Sequence, residues 1–229
     1  MIALAIELST DVGSVALLRD DLIVWDRTWV EEQVRRQRLF PVIEGLVAAG
    51  DLDVAAVDVF VVGTGPGSFS GMRTAAAMAG GLARPDRRAV EGVSSAEALA
   101  WAELRAGADS VAVIGDARRN EFWLGQFSMS DGLPRMDGTW IVTPYARLPG
   151  SVRARSAVWV SPDWNRIGGR LEALCPPGAN LVRERRVPSA RDVGMLAAAK
   201  RRAGIGRDDP IPIYVHPAVS AAPARDEGH

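Results

Sequence analysis

Three carboxylates stand where apolar runs end or turn: Glu7 closes the run at residues 2–8, Asp11 lies in the turn after it, and Asp116 follows the run at residues 111–114. Brought together at a cleft, such a set would hold Mg²⁺ or position a nucleophile for phosphoryl transfer. Acidic residues at turns and strand ends also serve as plain backbone hydrogen-bond acceptors, so both readings are open. The other chemical candidate is residues 63–73, GTGPGSFSGMR, with Gly63, Gly65, Pro66, Gly67, Ser68, Phe69, Ser70 and Arg73 between an apolar run and an alanine-rich stretch. Glycines reach φ > 0 without strain and proline fixes φ, so this loop follows one backbone path from a strand into a helix start. Loops of this kind offer amide groups to an anion or hold a helix close to a sheet.

The loop fails the phosphate motifs that it superficially matches. Three positions after Gly65 stands Ser68, and three after Gly67 stands Ser70, so GxGxxG is absent. A Walker A loop needs a lysine, and the chain's one lysine is Lys200. The histidines are His216 and His229, with no HxxxH or HExxH pair, so no metal site is expected and a Ser/His/Asp triad would have to borrow His216. Residues 116–121, DARRNE, place two arginines between acids, which suits either exposed ion pairs on a hairpin or phosphate binding.

These residues need elements to position them. The run at 2–8 reads as a buried strand and those at 14–18 and 22–29 as a second and third, and residues 31–49 carry helical spacing through Val34, Leu39, Ile43, Leu46 and Val47. A strand at 57–62, a helix at 70–83, a strand at 89–93 and a helix at 94–104 capped by Ser94 complete the order βββαβαβα. A second region begins near residue 111 with strands at 111–114 and 121–127 joined by residues 115–120, then a Gly/Pro-punctuated segment at 130–150. A strand at 157–160, a helix at 165–174, a short strand at 180–182 and a helix at 189–202 follow. The boundary at 105–110 gives lobes at 1–107 and 108–229, with the late helix able to return to the first lobe. The tail from Pro210 is expected to be irregular.

Gly71, Ala75, Ala79 and Ala83 recur every four residues and make one face of helix 70–83 smooth, while Gly80 and Gly81 each cost up to about 1 kcal/mol relative to alanine. The smooth face packs either on the chain's own sheet or on another subunit. The chain has 229 residues, 48% of them hydrophobic and 24% charged, with a net charge of −1, so any RNA contact needs a local patch. The lone cysteine, Cys175, fits a reducing compartment, and the apolar start lacks a basic leader, so the expectation is a cytoplasmic protein without a membrane span. The scattered tryptophans suit core packing; a base-stacking platform would need several aromatics on one exposed face beside arginines.

In family order along the chain, IALAIELSTDVGSVAL (2–17), QRLFPVIEGLV (37–47), GTGPGSFSGMR (63–73), DARRNEFW (116–123), VPSARDVGMLA (187–197) and PIYVHPAV (212–219) resemble segments of the bacterial TsaB (YeaZ) family. The loop at 63–73, close to that family's GRGPGSFTGLR, is the specific match. The resemblance implies an α/β, two-lobed fold of the actin, sugar kinase and Hsp70 type with RNase H-like lobes. It also implies a non-catalytic subunit of the tRNA threonylcarbamoyladenosine (t6A) machinery, partnered by a TsaD-like transferase, with a TsaE-like ATPase in the complex and tRNA met only through it. A second copy of the chain is the alternative partner.

By this resemblance the helices at 31–49 and 70–83 form the interface, with Arg35, Leu39, Phe40, Ile43, Gly71, Met72, Ala75 and Ala79 as its contacts. The chain would need no cofactor of its own, ATP or ADP would sit at the partner interface, and Glu7, Asp11 and Asp116 would be a vestigial nucleotide or metal cleft. Glu7 stands where the family has Asp, Ser70 where it has Thr, and Arg35 where it often has His. The rival readings are an ATP/Mg-dependent small-molecule kinase or phosphatase of the same fold, and the peptidase activity attached to this superfamily, for which no triad or metal pair is present.

Overall fold

Apolar residues on both faces of Ile2–Glu7 (β1) make it a strand buried on two sides, and it forms the centre of a five-stranded sheet. The computed structural model describes residues 1–30, 38–49 and 53–215. The first sheet adds Val12–Arg19 (β2) and Leu22–Val30 (β3); Leu39–Ala48 (α1) then leads to Val59–Gly63 (β4). Phe69–Ala83 (α2), Ala89–Val93 (β5) and Ser95–Arg105 (α3) follow. The strand order is β3-β2-β1-β4-β5, antiparallel among the first three and parallel from β1 through β4 to β5.

The second sheet contains Ser110–Arg118 (β6), Glu121–Ser130 (β7), Leu133–Met136 (β8) and Ile141–Pro144 (β9). A short helix, Leu148–Ser151 (α4), precedes Val158–Val160 (β10), Trp164–Leu174 (α5), Asn180–Leu181 (β11) and Ala190–Arg202 (α6). Its order is β8-β7-β6-β10-β11, with β9 on β7, again antiparallel among the first three and parallel for the last two. Both sheets therefore place their first three strands in the order third, second, first and continue in parallel from the first: the first sheet through its fourth and fifth strands, the second through its fifth and sixth, with its fourth, β9, off the path. This doubled RNase H-like topology is the two-lobed α/β fold of the actin and sugar kinase type.

Side-chain alternation divides the first sheet's two faces. Leu4, Ile6, Leu17 and Phe60 pack under α1 and α2, whereas Ala3, Ala5, Ala16 and Val61 pack under α3 and α6. Alanines on the second face bring α6 close; a Cβ on Gly194 would stand 2.6 Å from a Leu18 methyl. The last helix in sequence thus covers the first sheet, pinned by Lys200 to Glu97 at 2.7 Å and Arg201 to Glu91 at 2.6 Å. Ser94 and Ser189 cap α3 and α6 by accepting from the amides of Glu97 and Asp192.

Two details differ from the sequence reading. The segment 130–150 holds β8, β9 and α4, runs of four residues each, too short to show a period. Pro134 and Pro144 are tolerated there because β8 and β9 are strands at the margin of the sheet. β6 extends to Arg118, so residues 115–118 are strand and the turn is Arg119-Asn120. Gly168 and Gly169 lie inside α5, within the helix expected at 165–174. Of the helix expected at 31–49, residues 31–37 lie outside the described residues.

Candidate functional site

The loop between β4 and α2 is built against the β1–β2 turn. Gly65 has φ +87° and precedes Pro66. Gly67 and Gly71 are places of close approach, since a Cβ there would lie 2.1 Å from the Ser9 carbonyl oxygen and 1.9 Å from that of Leu8. Loop amides are committed within the chain: Thr64 donates to the Val93 carbonyl, Gly65 to Ser95 Oγ at 2.9 Å, Ser68 to the Ser9 carbonyl and Gly71 to Ser68 Oγ at 3.2 Å. The glycines are thus explained by backbone packing, and these four donors are not turned to an anion.

Glu7 completes this clamp. It is fully buried, accepts from the Ser9 amide, and accepts from Ser95 Oγ at 2.6 Å, so one carboxyl links β1, the turn after it and the start of α3. Burial raises its pKa, and the hydrogen bonds from Ser9 and Ser95 oppose that rise. The expected cleft of Glu7, Asp11 and Asp116 is corrected here. Asp11 and Asp116 line one interlobe cleft of about 1210 Å³, but Glu7 is not among the lining residues and its oxygens are taken up internally.

Asp11 pairs with Arg185 across the cleft. Asp116 lies 3.6 Å from both Arg118 and Arg166, and Asp163 pairs with Arg166 while accepting from the Asp116 amide at 2.9 Å. Burial lowers the Arg166 pKa, but Asp163, Asp116 and Asp11 outweigh it and the net shift is upward. Among the described residues no group of three His, Cys, Asp or Glu side chains is placed to hold a metal ion. These carboxylates are arranged as ion-pair partners, and do not fit a divalent-cation site. Sequence reasoning had not included Asp163, Arg166 or Arg185: they lie on the second lobe in loops and a helix end, where nothing in the local pattern marks them.

The helix faces bring the second correction. Ala75 and Ala79 of the smooth stripe are fully buried, with Met72, Leu39 and Ile43 buried beside them, all in the chain's own interior; Gly71 is half-buried against Leu8. Large side chains of β1 and β4 fill the space opposite the stripe, so its small size serves intramolecular packing. Phe40 is exposed, and Arg35 lies outside the described residues. The outward face of α2 instead presents Ser70, Arg73, Ala77, Gly80, Gly81 and Arg84. A Cβ on Gly80, Gly81 or Gly45 of α1 would meet nothing within 4 Å. Phe40 and Val47 of α1 are also exposed. Among the described residues no helix is long and apolar enough to cross a membrane.

Residues 32–132 match the family model described as TsaD, tRNA N6-adenosine threonylcarbamoyltransferase. The tRNA threonylcarbamoyladenosine biosynthesis protein TsaB of Haemophilus influenzae is 38% identical over 54% of this chain and 52% of its own length. That of Bacillus subtilis is 33% identical over 58% of each. The chain spans about half the length of these curated relatives. The solved structure of YeaZ from Pseudomonas aeruginosa is 30% identical, covers 93% of this chain and 99% of its own, and superposes with a TM-score of 0.77.

Proposed function

This chain belongs to the TsaB (YeaZ) family, and from that premise we propose that it is a non-catalytic subunit of the t6A machinery. It binds and supports a TsaD-like transferase through the outward faces of α1 and α2. The observations that carry this reading are the exposed Ala77, Gly80 and Gly81 on α2 and, on α1, Gly45 with open space before it and exposed Phe40 and Val47. Two solvent-facing glycines in the last turn of α2 lower its helix propensity, and no internal neighbour within 4 Å requires them. Helices from another chain can approach such a face closely, with Phe40 as an aromatic anchor.

On this reading the chain works in the cytoplasm and needs no cofactor of its own; the ion-paired state of Asp11, Asp116 and Asp163 and the internal engagement of Glu7 support that. Nucleotide and a TsaE-like ATPase enter through the complex, and a second copy of the chain is the competing occupant of the same face. Co-purification with a TsaD-like transferase tests the reading, with size-exclusion chromatography of the chain alone reporting the homodimer.

The second reading, a small-molecule kinase or phosphatase, is favoured by the size of the cleft and its Asp11 and Asp116 lining. It requires Mg-nucleotide to bind the isolated chain. A calorimetric titration without heat counts against it.

A further inference from the structure

We propose that the exposed stack of Phe69, Arg73 and Tyr214 at the rim of the interlobe cleft is a docking platform for an unpaired base of single-stranded RNA. Phe69 and Arg73 are four residues apart on the first turns of α2, and the guanidinium carbon lies 3.7 Å over the Phe69 ring centroid. Arg73 Nε donates to Tyr214 Oη at 3.2 Å, and the two rings stand 5.2 Å apart, tilted by 41°. Tyr214 reaches this place because the Ile213 amide donates to the Thr64 carbonyl at 2.8 Å, laying the terminal segment along the loop.

The stack is presented outward. Phe69 is 52% exposed and Tyr214 48%, although the apolar side chains of Leu8 and Met72 line the cleft beside them. Aromatic rings kept half in water across a guanidinium plane offer π-faces that any base can stack on. Unpaired bases in RNA loops are recognised on such aromatic and guanidinium surfaces. The charge is also suited: Arg166 and Arg185 of the same cleft are matched by Asp163 and Asp11, while among the described residues no carboxylate lies within ion-pair distance of Arg73. Its charge, at the positive end of α2, is available to a flanking phosphate.

A net charge of −1 gives no broad attraction to nucleic acid, so binding at this one place is expected to be local and single-stranded. This inference rests on the proposed t6A role for the choice of RNA, and its test is separate from co-purification with the transferase.

The test is fluorescence anisotropy of a labelled single-stranded RNA heptamer titrated with the full chain at low salt, with circular dichroism to verify folding of each variant. The expected result is saturable binding, weakened about tenfold or more by Phe69→Ala or Tyr214→Ala. Arg73→Gln should weaken it further than Arg73→Lys, and a duplex of the same sequence should bind at least tenfold less tightly. Equal affinity for wild type and both aromatic variants overturns the proposal, as does equal binding of the duplex. Competition by AMP as effective as that by the heptamer overturns it in favour of a mononucleotide site. Loss of transferase association in Phe69→Ala with RNA binding intact overturns it in favour of a protein contact. Failure of RNA binding while co-purification succeeds removes the platform alone and leaves the subunit role standing.

Discussion

A carboxyl as deeply buried as Glu7 destabilises its fold when ionised unless donors meet it, and Ser9 and Ser95 are those donors. The folded state holds the Glu7 proton to higher pH than the ordinary glutamate value of 4.5. Between that value and the raised one the folded chain binds more protons than the unfolded, so this group's contribution to stability falls as pH rises and levels off above the folded pKa. Glu7→Gln keeps the shape and removes the titration. The difference in unfolding free energy between variant and wild type should shift toward the variant as pH climbs from 4.5, as read by urea melts at several pH values; a pH-independent difference contradicts it. Close approach sets a second expectation, because the atom facing Gly67 is backbone and cannot swing away. Gly67→Ala should cost about 1–3 kcal/mol in the same melts. The loop itself was legible from its glycines and proline. Their purpose was not, since the sequence shows neither the Ser9 carbonyl under Gly67 nor the Ser95 hydroxyl that occupies the Gly65 amide.

At the scale of the element, α2 carries two small-residue faces with different duties. A period of four residues announces a packing face, but a single helix gives no sign of whether that face turns inward. The answer lies in long-range neighbours, Leu4, Ile6 and Phe60, which fill the space against Ala75 and Ala79. The outward pair Gly80-Gly81 was visible as an oddity of composition, yet its meaning depends on the empty space in front of it. Two substitutions separate the faces in the isolated chain. Gly81→Ala should stabilise it by up to about 1 kcal/mol, since the added Cβ meets nothing and helix propensity improves. Ala79→Leu should destabilise it by about 1–3 kcal/mol through overpacking, with thermal denaturation reading both. Tyr214 was not legible as a site residue because its segment is irregular and carries no period; long-range contacts place it, the Ile213 to Thr64 and Arg73 to Tyr214 hydrogen bonds.

For the whole molecule, the repeated strand order explains why the first half was easier to read than the second. Strands of five to nine residues build the first sheet, with β1 and β4 as near-continuous apolar runs, whereas the second includes strands of two to four. α6 joins the two halves by covering the sheet of the first, so Leu196→Ala should cost about 2–5 kcal/mol although it lies far along the chain. The Asp11–Arg185 pair crosses the cleft at a partly exposed place and is worth about 1 kcal/mol at most. Co-purification of this chain with a TsaD-like transferase probes whether the outer surfaces of α1 and α2 receive that partner. The wild-type chain should form a complex, and Ala77→Leu with Gly80→Leu, which enlarge the outward face of α2 without touching the core, should weaken it at least tenfold while the chain remains folded. A complex undiminished by those two substitutions, or no complex with the wild-type chain, contradicts the account.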